Sequence, residues 1–380
     1  MGKSDKFVSI HLDRDSKEPL YLQLYKGIVS LIENGVLEVN QKLPPIRKLA
    51  KSLNINTVTV VNAYKLLEKE GYIRTKVGSG SYVTPIKKAS QEESVPENKV
   101  VRYNFASASI PPSLFPIDEF KEAIIKVLDS EGGYAFECQE TAGYRPLRET
   151  INKVLLVPQD IKVDTDNIYI VSGAQQGIEI VAKLLLDYQD VVYVERPTYP
   201  GAISAFKSRS AKIVEIPLRE DGLDINELEY MLKIKPPKLL YIIPNFQNPT
   251  GYSYSEQKKR ILLELAERYD FMILEDDHLN ELYYQERAKP LKAFDINDRV
   301  FYIKSFSKLF MPGLRLGFIV SPEVYGRKVL EIKYLSDISS SSLTQKTLNI
   351  LLKDDSFKKH IEKVRNIFYK RWEIVVKSLE

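Results

Sequence analysis

Apolar residues in the first part of the chain recur at helical spacing three times and then alternate. Leu20, Leu24, Ile28, Leu31 and Ile32 predict a helix over residues 19 to 34, stopped by Gly35. A second helix is predicted from Ile46 to Leu53, and a third from Thr57 to Glu70, closed by Gly71. Tyr72-Ile73-Arg74 and Ser81-Tyr82-Val83, separated by Gly78-Ser79-Gly80, alternate as a two-stranded hairpin would. From residue 85 to 100 the periodicity disappears into polar, proline-interrupted sequence, which predicts a flexible linker. Beyond Phe105, strand-like runs at 168 to 171, 191 to 194, 212 to 216, 239 to 243, 271 to 274, 300 to 303 and 317 to 320 are interleaved with helix-like runs at 178 to 186 and 255 to 269. That order predicts a mostly parallel sheet covered by helices, with a last helix from Phe357 to Leu379. The chain therefore divides into 1–84, a linker at 85–100, and an α/β unit at 101–380.

Chemistry concentrates between two of the predicted strands, in Ser305-Phe306-Ser307-Lys308 and the following Pro312-Gly313-Leu314-Arg315-Leu316-Gly317. A lysine past a strand end can form an imine with an aldehyde, while an arginine seven residues on holds a phosphate. Pyridoxal phosphate carries both groups. A lysine amine attacks carbonyls only in its neutral form, which burial favours. Upstream, Asp276 follows the apolar run Phe271 to Leu274, where a carboxylate could pair with a pyridinium nitrogen. Asn248, in Asn248-Pro249-Thr250-Gly251, is placed to donate to the cofactor's phenolic oxygen. Ser172-Gly173-Ala174-Gln175 joins a strand to a helix start, a natural anion cradle. Tyr199, in Arg196-Pro197-Thr198-Tyr199-Pro200, could stack on the ring. Each has a plainer alternative taken alone: a turn, a helix cap, an ordinary loop, a packed aromatic. Together, in this order, they point to one site.

With these motifs the chain resembles the fold-type I aminotransferases from about Tyr103 to its end. The resemblance implies that Lys308 forms the Schiff base, Asp276 pairs with the pyridine nitrogen, Asn248 bonds the ring oxygen and Tyr199 stacks. It further implies that Ala174, Gln175, Ser305, Ser307 and Arg315 surround the phosphate, the first two through backbone amides. Three departures stand out. His278 occupies the place where relatives usually carry a tyrosine; histidine still donates a hydrogen bond but is shorter. Cys138 aligns with a tyrosine that commonly reaches the partner subunit's phosphate, and is expected to be a small buried residue without function. The chain stops at Glu380, before the small subdomain that supplies relatives with a carboxylate-binding arginine, so the aminotransferase-like unit is expected to be C-terminally incomplete.

Three helices and a hairpin also have two readings, a winged helix-turn-helix or a small protein-interaction module. Leu43-Pro44-Pro45-Ile46-Arg47-Lys48-Leu49-Ala50, Thr59-Val60-Val61-Asn62-Ala63-Tyr64, Leu67-Glu68-Lys69-Glu70-Gly71-Tyr72 and Gly78-Ser79-Gly80-Ser81-Tyr82-Val83 resemble the DNA-binding domain of the GntR family. The resemblance implies that Arg47 touches DNA, that Thr57 and Thr59 start the recognition helix, and that Gly78 and Gly80 shape the wing. Many relatives carry arginine at the position of Thr57, so altered base readout is expected. A GntR-type reader linked to an aminotransferase-like unit is the layout of the MocR subfamily. It implies a transcription factor that binds double-stranded DNA and pyridoxal phosphate, senses an amine, an amino acid or the cofactor itself, and forms a homodimer. The competing class is a working transaminase with a DNA-binding appendage; an ordinary transaminase needs no winged helix.

Composition adds little to this. With 44% hydrophobic and 28% charged residues the sequence is ordinary globular material, and a net charge of +4 does not by itself demand a nucleic acid. A single cysteine excludes an intrachain disulfide and fits a reducing compartment. No stretch approaches the roughly 20 apolar residues needed to cross a bilayer, so the cytoplasm is the expected location and no metal site is expected.

Overall fold

The computed structural model describes Phe7, Ile10, Leu12, Asp13 and residues 18–33, 35–76, 79–84, 110–284 and 286–379. The predicted linker at 85–100 and wing residue Gly78 lie outside the described residues. The chain forms two compact units, Met1–Asn104 and Phe105–Glu380.

In the first unit, α1 (Leu20–Glu33), α2 (Ile46–Ser52) and α3 (Thr57–Lys69) precede a hairpin of β1 (Ile73–Lys76) and β2 (Gly80–Val83). Asn56 caps α3, its side chain accepting from the Val58 amide at 2.9 Å. Val60, Ala63, Tyr64 and Leu67 fall on one face of α3 and are buried against Leu24, Ile28 and Ile32 of α1. Each such aliphatic side chain contributes roughly 1.5–3 kcal/mol on burial. The backbone of residues 40–43 adds a third edge to the hairpin, through Asn40 N to Val83 O at 2.8 Å and Leu43 N to Ser81 O at 2.9 Å. The sequence pattern predicts only two strands because this segment contributes a single alternation before Pro44.

The second unit runs α4 (Ile117–Glu131), α5 (Arg145–Ile151), β3 (Ile168–Val171), α6 (Ala174–Leu185), β4 (Val191–Arg196), α7 (Pro200–Ser208), β5 (Lys212–Arg219), β6 (Gly222–Leu223), α8 (Ile225–Ile234), β7 (Leu239–Ile242), α9 (Glu256–Arg268), β8 (Met272–Asp277), β9 (Val300–Ser305), β10 (Gly317–Val320), α10 (Gly326–Asp337), α11 (Ser342–Lys353) and α12 (Ser356–Leu379). Its eight strands form one sheet in the order β3-β10-β9-β8-β7-β4-β5-β6. The inner pairs β5/β4, β4/β7, β7/β8 and β8/β9 are parallel, but β10 is antiparallel to both β9 and β3, and β6 to β5. The sheet is thus mostly parallel, as the alternation of elements predicts, and is made mixed by two reversed strands, β10 and β6. Only 11 residues separate Ser305 from Gly317, too few for a helical crossover, so β10 must turn back beside β9.

Strand residues alternate between faces. Val192, Val194, Tyr241, Leu274, Phe301 and Ile303 pack under α6 and α7. Tyr193, Leu240, Ile242 and Ile273 pack with Leu228 and Leu232 of α8 and Leu262 and Leu265 of α9. Ile168, Ile170, Tyr302 and Phe318 face Leu147 of α5, Leu348 of α11 and Phe357 of α12. Both faces are covered, which is why these strands read as continuous apolar runs.

Candidate functional site

The carboxyl ends of β3, β4, β7, β8 and β9 all point to one edge of the sheet, where open α/β sheets place their ligands. Reversal of β10 brings its beginning, and Arg315 just before it, to the same edge. There Ala174, Gln175, Tyr199, Ile243, Asn248, Asp276, His278, Ser305, Ser307, Lys308, Pro312 and Arg315 line a cavity of about 340 Å³. Ten of these twelve are the cofactor candidates of the sequence; Ile243 and Pro312 are additions.

The anion end is built from three segments. Gly173, with φ of 83°, turns the chain from β3 into α6, so that the unpaired amides of the first turn face outward. Arg315 holds a left-handed backbone and donates from its guanidinium to the Ser172 carbonyl at 3.0 Å. A Cβ at residue 173 would lie 3.0 Å from that guanidinium, and one at 317 would lie 2.7 Å from the Lys304 carbonyl, so both glycines allow these strands to close on the arginine. Ser305 accepts from the Ser307 amide at 3.2 Å, while the Ser307 hydroxyl is buried without a partner.

Lys308 lies on the turn between the apolar strands β9 and β10 and is half-buried. The turn's other face is apolar: Phe306, Leu309 and Phe310 are buried against Phe357 and Ile361. His360 pairs with the Leu309 carbonyl at 3.0 Å. With these apolar side chains held on one side of the turn, Ser307 and Lys308 line the cavity on the other.

At the opposite wall Asp276 is 5% exposed, and burial pushes its carboxyl up to about 6. Tyr241, on the neighbouring strand, donates to its Oδ2 at 2.8 Å, and Oδ1 has no partner. A buried carboxylate oxygen left without a donor needs one supplied from the cavity. His278 is held neutral, its ring pushed down to about 4 by burial, with the nearby Lys304 and Lys308 acting in the same direction. Tyr199 donates to Gln175 at 3.2 Å, and Gln175 donates to the Gly201 carbonyl at 3.2 Å.

Sequence reasoning misses Tyr241, which reads as one more member of an apolar run. It also misses the buried cluster behind Asp276, where Lys304 lies 3.2 Å from Asp277 and 2.8 Å from Glu281. Tyr302 donates to Asp277 at 2.6 Å, and Arg287 donates to Glu281 at 2.8 Å. Two adjacent carboxylates at a strand end, followed by a lysine on the next strand, are the signal that could have found it. Cys138, expected to be buried, is exposed. It follows a 3-10 turn (Gly132–Phe136) that α11 holds on one side, where Lys346 donates to the Tyr134 carbonyl at 2.9 Å, while Tyr134 and Phe136 are 70% and 66% exposed.

In the first unit Arg47 is exposed on α2, Thr57 is exposed at the first position of α3, and Thr59 is half-buried. Val58, Asn62 and Lys65 extend the exposed face of α3. Gly80 takes φ of 110° at the start of β2. Arg74, a wing cation of β1, donates to Asn40 at 2.8 Å, and Lys42, which the pattern does not single out, sits 5.8 Å over the Tyr82 ring. Among the described residues no cluster of ligands suits a metal, and no helix is long and apolar enough to cross a membrane.

Residues 108–380 match the family described as aminotransferase class I and II, and residues 20–83 match that described as bacterial regulatory proteins, gntR family. The HTH-type transcriptional regulator YcxD of Bacillus subtilis is 31% identical over 92% of this chain and 78% of its own length. Aromatic-amino-acid aminotransferase 1 of Thermococcus litoralis is 34% identical over 71% of this chain and 66% of its own. Among solved structures, a Pyrococcus horikoshii kynurenine aminotransferase superposes with a TM-score of 0.69 at 32% identity, covering 72% of this chain and 69% of that one. The α-aminoadipate aminotransferase LysN of Thermus thermophilus, solved with N-(5'-phosphopyridoxyl)-L-leucine, gives 0.67 at 33% identity, covering 72% and 70%.

Proposed function

Because the chain belongs to the aminotransferase class I and II family and carries a gntR-family unit before it, the MocR architecture, we propose that it is a DNA-binding transcriptional regulator that holds pyridoxal phosphate and responds to an amine, an amino acid or the cofactor itself. The observation that carries this is a single cavity whose lining includes all ten cofactor candidates, drawn from distant segments, on a chain that also folds a helix-turn-helix with a hairpin. We assign DNA reading to 1–84, a linker to 85–100 and cofactor binding to 101–380, with two copies pairing through the larger units.

The lining fits the cofactor. An unpartnered Asp276 Oδ1, an unpartnered Ser307 hydroxyl, a helix N-terminus behind a positive-φ glycine and an arginine are the partners that a pyridine nitrogen and a phosphate require. When bound, pyridoxal phosphate supplies an aldehyde that reacts with amines and a ring that withdraws electrons. Lys308 offers the chain's own amine at the cavity wall. Arg315, Ser305, Ser307 and the amides of Ala174 and Gln175 bind the phosphate and fix its position. Asp276 holds the ring-nitrogen proton at its Oδ1, with Tyr241 keeping Oδ2 occupied. Neutral His278 and Asn248 donate to the ring oxygen, and Tyr199 shields one ring face from water. In the first unit, the exposed face of α3 and Arg47 contact DNA at the major groove, while the hairpin cations contact the duplex at its flanks.

The test titrates pyridoxal phosphate, and then candidate amines, against binding to a duplex that the chain selects from random sequence, while visible absorbance is followed. DNA affinity that changes with the amine, together with an absorbance change, is the expected result. Steady transamination with no DNA binding would establish the enzyme instead.

A further inference from the structure

Glu195 lies at the carboxyl end of β4, 1% exposed, and does not line the cavity. Burial pushes its carboxyl up to about 7, opposed by the hydrogen bonds it accepts. Its Oε1 accepts from the Ile243 amide at 3.1 Å and the Tyr254 hydroxyl at 2.6 Å. Its Oε2 accepts from Gln247 at 3.0 Å and Thr198 at 3.3 Å. Three of these four partners lie in or beside the cavity lining: Ile243 is a lining residue, Gln247 precedes Asn248, and Thr198 precedes Tyr199. Gln247 also donates to the Pro197 carbonyl at 2.8 Å, and its own side-chain oxygen accepts from the Thr250 amide at 3.0 Å and hydroxyl at 2.7 Å. One carboxylate therefore ties the turn that carries Tyr199 to the turn that carries Asn248.

Resting on the cofactor reading above, we propose that Glu195 is a positioning residue that sets the spacing between the two walls of the cavity, placing Tyr199 and Asn248 on the cofactor ring. Both loops project beyond their strand ends, so β4 and β7 alone do not fix how far apart those side chains stand. Hydrogen-bond inventory makes the site intolerant of an amide. Glutamine at 195 can accept with one atom only; its NH₂ then faces either the Gln247 NH₂ or the Ile243 N–H, donor against donor. Relief of that clash moves one wall.

Glu195→Gln is therefore expected to weaken pyridoxal phosphate binding about tenfold, measured by absorbance titration of the full chain, with the DNA affinity of the cofactor-free chain unchanged. In a Tyr199→Ala/Asn248→Ala background the same substitution should change binding less than twofold, because the groups it positions are gone. Gln247→Met, which removes the link without adding a buried donor clash, should lose as much as Glu195→Gln and add nothing to it. Equal losses in both backgrounds would make Glu195 a structural residue only and overturn the proposal, as would no loss in the native background. If the unsubstituted chain fails to bind pyridoxal phosphate, the cofactor reading itself falls, and the positioning role with it.

Discussion

Removal of the Tyr241 hydroxyl probes the cavity from below. Tyr241→Phe leaves the ring in place and deletes the one donor to Asp276 among the described residues, where its other oxygen is unpartnered. A hydrogen bond to a charged acceptor is worth about 1.5–3 kcal/mol, and one between neutral groups about 1 kcal/mol. Burial has already moved the Asp276 carboxyl from 3.8 up to about 6, a shift of about two units that costs roughly 3 kcal/mol once the group is ionised. The sign follows from linkage. A carboxyl raised in the fold takes its proton more readily there than in the unfolded chain, so its cost is absent below pH 3.8, grows between pH 3.8 and 6, and is fully present above. Without Tyr241 the folded value rises further and the window extends upward. Denaturant unfolding of the cofactor-free protein, followed by circular dichroism at pH 5 and pH 8, should therefore show a loss of about 1 kcal/mol at pH 5 and about 2–3 kcal/mol at pH 8. A loss that is equal at both pH values, or larger at pH 5, would refute an ionisable Asp276 held by Tyr241.

Arg47→Ala should weaken duplex binding by about 1–3 kcal/mol if the arginine makes a bidentate base contact, and leave the slope of affinity against salt nearly unchanged; a slope reduced by about one would make it a phosphate contact instead. His278→Leu should weaken cofactor binding by about 1 kcal/mol in absorbance titrations, while His278→Tyr keeps or tightens it. Since burial lowers the His278 ring to about 4 from 6.5, the native chain should lose stability as pH falls from 6.5 toward 4, a loss that unfolding curves of His278→Leu should lack. Lys308→Ala should abolish the visible band of the lysine-bound cofactor and the amine response of DNA affinity, with duplex binding itself retained in anisotropy measurements.

Strands were the most legible elements because the sheet is covered on both faces, so that runs such as Leu239 to Ile243 are apolar without interruption. Helix starts were less so. The helix read from Ile178 begins at Ala174, where Ala174 and Gln175 line the anion end of the cavity and Gln176 accepts from the Ser172 amide at 2.6 Å, so none extends the apolar stripe. The same polarity makes a site visible and hides the element that builds it. The lining residues could be selected because cofactor chemistry demands particular residue types: a lysine, an acid, an arginine, small residues before a helix. Their supports could not. Tyr241 donates to a residue 35 positions away and Gln247 to one 52 positions away, and both bonds exist only because β7 lies between β4 and β8. Strand order is a property of the whole sheet, and no local spacing encodes it.

The turn from Phe306 to Leu316 offers a physical route by which a change at Lys308 could leave the cavity. A ligand shifts a second equilibrium only through its differential interaction with two states, and couplings of about 1–3 kcal/mol are typical. On one side the turn presents Ser307, Lys308 and Arg315 to the cavity; on the other it is fastened to the start of α12. Phe306 and Phe310 each lie 5.7 Å from the Phe357 ring, and His360 pairs with the Leu309 carbonyl. Aromatic pairs contribute about 0.5–1.5 kcal/mol each beyond their burial. Release or tethering of Lys308 that repacks these two ring pairs thus involves free energy of the size a regulatory coupling needs. A displacement that leaves them intact must instead be absorbed within the turn, where Gly313 has open space beside its backbone. The first course carries the signal into a 24-residue helix, and the second confines it to the cavity, so the packing of Phe357 separates a sensor from a site that merely holds its cofactor.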